Sequence, residues 1–214
     1  MKLFIQRLYL HLKNMGGLVW VPVAVLDLLY PTLIYLSYRS IGLDEYLMMS
    51  IQNISYTYLP FFSVWYVIFA LHEYIESDGN ELLYVCKQKI RFADVAVLFV
   101  LYMINVTLYF VFFSFIFEGI WLAWLMLLCV CFMYFGMAYL LLYASGSVTM
   151  SIMVLLIYTL IAVIGSADTE NFLLYVISYS NVQAFVSMSV PQIVVGGVCC
   201  LIGIGMNRKY RKFV

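Results

Sequence analysis

Few residues in this chain are of a type and spacing that can do chemistry. Its two histidines, His11 and His72, stand far apart, one ahead of the first apolar run and one at the end of the second. Haem ligation within a membrane needs paired imidazoles inside the apolar layer, and these two read instead as surface residues. The five cysteines make an odd count, and Cys129, Cys131, Cys199 and Cys200 fall inside apolar runs, where a thiol packs as a small hydrophobe. No C-x-x-C pair or zinc-type Cys/His spacing occurs, so neither a disulfide framework nor a metal site follows. Ser145 and Ser147 flank a glycine in YASGSVTM, as a nucleophile turn would, but no histidine follows to activate them. A tight turn accounts better for the segment. The phosphate loop G-x-x-x-x-G-K-[ST] is missing too, so ATP hydrolysis by that route needs a separate chain. The residues define no catalytic set and no cofactor site of the chain's own.

One charged residue remains unexplained. Asp27 sits inside the apolar run 17–37, with Pro31 one turn beyond it. A charge at the centre of a membrane span costs about 2.5–3.5 kcal/mol on insertion scales, so it needs a partner, a proton or water. Two readings stand side by side. Asp27 lines a translocation path or dimer seam beside the flexible point at Pro31, or it is a protonated or locally hydrogen-bonded acid within the bundle.

The elements that must position these residues are set by composition. With 66% hydrophobic and 10% charged residues in 214, too little polar surface exists to cover a water-soluble domain. A helix needs roughly 20 apolar residues to cross a hydrocarbon core of about 30 Å. Six runs of that size occur, at about 17–37, 54–72, 95–117, 121–143, 149–166 and 186–206, and only the first contains a charge. They are continuous rather than alternating, which selects helices over barrel strands. The expected fold is therefore an all-α polytopic membrane protein, a single transmembrane domain over 1–214. Of the 11 Lys and Arg, all but Arg39 flank one side of these spans. That side is the cytoplasmic one, which places both termini inside and favours an even number of crossings.

Two segments outside the spans carry further signal. In residues 1–15, Phe4, Ile5, Leu8, Leu12 and Met15 share one arc of a helical wheel, as in a helix lying in the cytoplasmic interface; a plain basic flank of the first span is the alternative. Between spans two and three, residues 73–94 read EYIESDGNELLYVCKQKIRFAD, with acids early and bases late. That order complements the dipole of a short helix beginning near Asp78, and Leu82, Leu83 and Val85 give it apolar side chains suited to docking. A solvated loop is the plainer alternative.

In this segment Glu76, Gly79, Glu81, Leu82, Leu83 and, later, Arg91 stand at positions similar to the coupling helix of the type 2 ABC exporter permeases, which the chain resembles. Asn80 replaces a usual threonine, and Lys or Gln stands where a proline is usual. The resemblance extends over nearly the whole chain, including the external segment 167–185, similar to that family's re-entrant hairpin. It implies a permease subunit of an ATP-driven exporter in a bacterial cytoplasmic membrane. Two such subunits, identical or different, would form the path for a peptide, antibiotic or lipid-like substrate. Separate ATPase subunits would carry ATP and Mg and dock on the coupling helices, and nucleic acid has no part. A six-span scaffold or substrate-capture subunit that transports nothing alone is the competing class.

Overall fold

A backbone surrounded by hydrocarbon can satisfy its N–H and C=O groups only internally, so the apolar runs must become helices. The computed structural model describes residues 8–9, 12–13, 15–76, 91–165 and 182–210, and among these every regular element is helical. Five helices are long and apolar enough to cross a membrane: Gly16–Ile41, Tyr46–His72, Phe92–Ser114, Ile120–Ser145 and Ser189–Asn207. A further apolar helix, Val148–Ile164, is shorter. We label the helices α1 (Gly16–Ile41), α2 (Glu45–Ser63), α3 (Trp65–Ile75), α4 (Arg91–Ser114), α5 (Ile120–Ser145), α6 (Val148–Gly165) and α7 (Val182–Tyr210).

Several helices outrun their apolar sequences. The second apolar run starts at residue 54, yet α2 begins at Glu45 after a connection of only three residues. The added turns carry Gln52, and Ser55 follows at the start of the run; both are buried against the bundle. The α2–α3 helix then breaks at Val64. Ser63 Oγ donates to the Pro60 carbonyl at 2.6 Å, and the Val64 N–H falls back to the Phe61 carbonyl at 3.4 Å. A side-chain hydroxyl thus competes for the carbonyl that would have continued the ladder.

In α1 the ladder widens instead. Residues Val25–Leu29 form a π-helical turn, in which the Tyr30 N–H bonds the Val25 carbonyl. Pro31 follows at once, and it has no N–H to give to the Asp27 carbonyl. Asp27 therefore lies in the π turn rather than in a regular one.

The core is built around α5, which is apolar on every face and buries Met133, Tyr134, Phe135, Ala138 and Tyr139. A helix of that pattern belongs in the middle of a bundle. Packing polarity follows from side-chain contacts. Tyr134 hydrogen-bonds Thr159 of α6 across an antiparallel pair, whereas α7 runs parallel to α5, with Gly196 beside Gly136 and Gly203 beside Tyr139. The shared face of Gly196 and Gly203 thus packs inside the chain, against α5, and dimer contact is not needed to explain it. Of the N-terminal segment, Leu8, Leu12 and Met15 pack together with Ala70 and Leu98 of the bundle. Residues 1–7, 10, 11 and 14 lie outside the described residues.

Candidate functional site

Helix α1 turns one face toward α4 at Val19, Pro22, Val23 and Leu26, and α4 answers with Leu98, Leu101, Tyr102 and Asn105. Both sets recur every three or four residues, as one face of each helix requires. Between them, with Tyr66 of α3 and Leu12, is a cavity of about 200 Å³. Leu98 and Tyr102 are buried whereas Leu101 is 47% exposed, so the cavity meets the bundle surface along the α1–α4 crevice. The end nearer the start of α1 is fixed by two bonds: Trp65 Nε1 donates to the Leu18 carbonyl and Tyr66 Oη to the Val19 carbonyl, each at 3.0 Å.

The crevice continues along the same faces to Asp27 and Tyr109, one turn beyond Val23 and Asn105. Tyr109 Oη donates to Asp27 Oδ1 at 2.9 Å. The Asp27 side chain is exposed and makes no other bond and no ion pair among the described residues. Behind it, the Tyr109 ring stands edge-on to Tyr30 at 5.6 Å, and Tyr30 Oη is hydrogen-bonded to Ser55 Oγ at 2.8 Å. Tyr30 is 1% exposed, so it forms a wall that holds the Tyr109 ring in place. The sequence marked Asp27 and Pro31; it did not mark Tyr109, Asn105 or Tyr30. The sequence signal of Asn105 and Tyr109 is a pair of polar side chains spaced four apart on a largely apolar helix.

A second polar junction joins helix ends near the charged connection. Glu76 caps α3 and reaches across to α6, where its Oε1 accepts the Val148 N–H at 2.6 Å. Its other oxygen lies 3.5 Å from His72 Nε2. A carboxylate at a helix N-terminus satisfies a free N–H and meets the positive end of the dipole. Replacing Glu76 by Ala should lower stability by about 1–2 kcal/mol, with Gln losing less because it keeps an acceptor. Unfolding in mixed detergent would show this, and identical curves for all three proteins would mean that the contact contributes nothing. Beside it, Ser145 Oγ bonds the Leu141 carbonyl and accepts the Ser147 N–H, and Gly146 has φ +63°. Ser145 and Ser147 are thus parts of a turn closed by a left-handed residue, as the sequence led us to expect.

Of the coupling residues, Glu76 is engaged as described and Arg91 is the first residue of α4. Gly79, Glu81, Leu82 and Leu83 lie outside the described residues, as does most of the segment 167–185. No group of His, Cys, Asp and Glu among the described residues is arranged to hold a metal ion. Comparison of the chain with protein-family models, curated proteins and solved structures found no match.

Proposed function

We propose that this chain is the membrane-embedded permease subunit of an exporter driven by separate ATPase chains, with six crossings, both termini cytoplasmic and residues 73–94 as the energy-coupling segment. The Glu76 bond to α6 carries the reading. Near its start the segment carries Glu76, bonded to the N-terminus of α6, and near its end Arg91, which starts α4, so a displacement of the segment would act on α3, α4 and α6 together. ATP-driven approach of the ATPase subunits would push on this junction and rock the bundle, and the α1–α4 crevice would serve as the lateral path for an amphipathic substrate. Two permease subunits, alike or different, would complete the assembly.

The test is to replace Leu82 and Leu83 together with Ala, removing docking surface worth about 1.5–3 kcal/mol per side chain if the partner covers it fully. Less ATPase should co-purify, and substrate movement should fall, while unfolding of the chain itself stays unchanged. Unchanged complex yield, ATPase stimulation and transport would sink the proposal.

A further inference from the structure

We infer that the α1–α4 crevice is a binding site for a cationic amphiphile, an aliphatic chain bearing a protonated amine. The apolar body would occupy the cavity, and the amine would pair with Asp27.

Three observations carry this. The first is an intramembrane carboxylate, exposed at the bundle surface and paired with no cation among the described residues. Such a group calls for a positive partner from outside the chain or for a proton. The second is orientation. Tyr109 is a donor to one carboxylate oxygen and is backed by the buried Tyr30–Ser55 pair, which leaves the other oxygen for an incoming N–H donor. The third is the cavity, which begins one turn away on the same two helix faces and is lined by apolar side chains apart from Tyr66, Tyr102 and Asn105. An anion would be repelled by Asp27, and a neutral alcohol would forgo the ion pair that a low-dielectric crevice strengthens. Tyr109 and Asn105 supply the polar edges against which the amine is positioned.

That this site receives the exported substrate rests on the exporter reading; the binding itself does not. The experiment uses the full chain, with any chains that co-purify, in phosphatidylcholine nanodiscs. It measures radiolabelled decylamine bound in excess of protein-free discs, with decanol as the uncharged probe. Saturable decylamine binding is expected, about tenfold tighter than decanol. Asp27→Asn should remove that preference while leaving decanol unchanged. Leu101→Trp, which narrows the cavity and leaves Asp27 untouched, should weaken both probes together, so the site remains testable even if Asp27→Asn fails to fold. Equal binding of the two probes by the unaltered protein overturns the inference, as does an Asp27→Asn protein that retains the preference. Absence of saturable binding, the result expected if a second copy of the chain closes the crevice, overturns it as well. Failure here with intact coupling through residues 73–94 leaves the exporter reading with a different substrate. Failure of coupling with intact amine binding removes the exporter reading alone.

Discussion

Leucine at Gly136 should prevent α5 and α7 from closing on each other, and the folded yield should collapse. A Cβ at Gly136 would run into the backbone carbonyl of Gly196, and one at Gly196 would come within 3.0 Å of the Met133 Cα. Neither obstacle can rotate away, because both are backbone of a packed helix. Ordinary overpacking costs about 1–3 kcal/mol because side chains shift to absorb it; here the helices themselves must separate, and the loss should exceed that range. Gly203→Ala should be milder, since the atom in its way is Cδ1 of the Tyr139 ring at 2.6 Å, and a ring can tilt. Gly197→Ala should have little effect, because nothing lies within 4 Å of its Cβ position. Folded yield in detergent and unfolding of the four variants would order them as Gly136 worst, then Gly196, Gly203 and Gly197. A stable Gly136→Leu protein would mean that α5 and α7 are not in contact in the membrane.

How much of this architecture could be read from the residues depends on which force shapes each element. Burial in hydrocarbon is recorded directly in hydropathy, so the cores of the long helices lie where the apolar runs are. The start of α2 was not legible. Ser50, Gln52, Asn53 and Ser55 lower the local hydropathy, although Gln52 and Ser55 face the interior of the bundle. A hydropathy scan cannot tell a polar residue that faces protein from one that faces water. The same limit applies to the site. Asp27 stood out because a charge inside an apolar run is costly, but its partner Tyr109 lies 82 residues away, on a helix whose stripe of Asn105 and Tyr109 looks ordinary until α1 is placed against it. Glu76 shows the converse: its place in the charged segment was legible, while its bond to Val148 depends on the end of α3 lying beside the start of α6.

Single cysteines at Lys89 and Asp168, introduced after the five native cysteines are replaced, should be labelled by an impermeant thiol reagent from opposite sides of the membrane. Lys89 should react only from the cytoplasm and Asp168 only from outside. The basic asymmetry fixes the first, because ten of the 11 Lys and Arg flank one face of the spans. The second rests on helix direction. If α5 and α7, which run parallel, both cross, they enter from the same face, and the chain between them would have to cross back. Only α6 and the residues after it are available for that. Its 18 residues reach about 27 Å along the axis, close to the thickness of a hydrocarbon core. Its surface also suits lipid, with Met150, Met153, Ile157, Leu160 and Ile164 all more than half exposed on a helix that carries no charge. Water would not tolerate so much apolar surface, whereas acyl chains solvate it. If Asp168 reacts from the cytoplasm, α6 does not make the return crossing that a parallel α5 and α7 call for, and the six-crossing proposal fails.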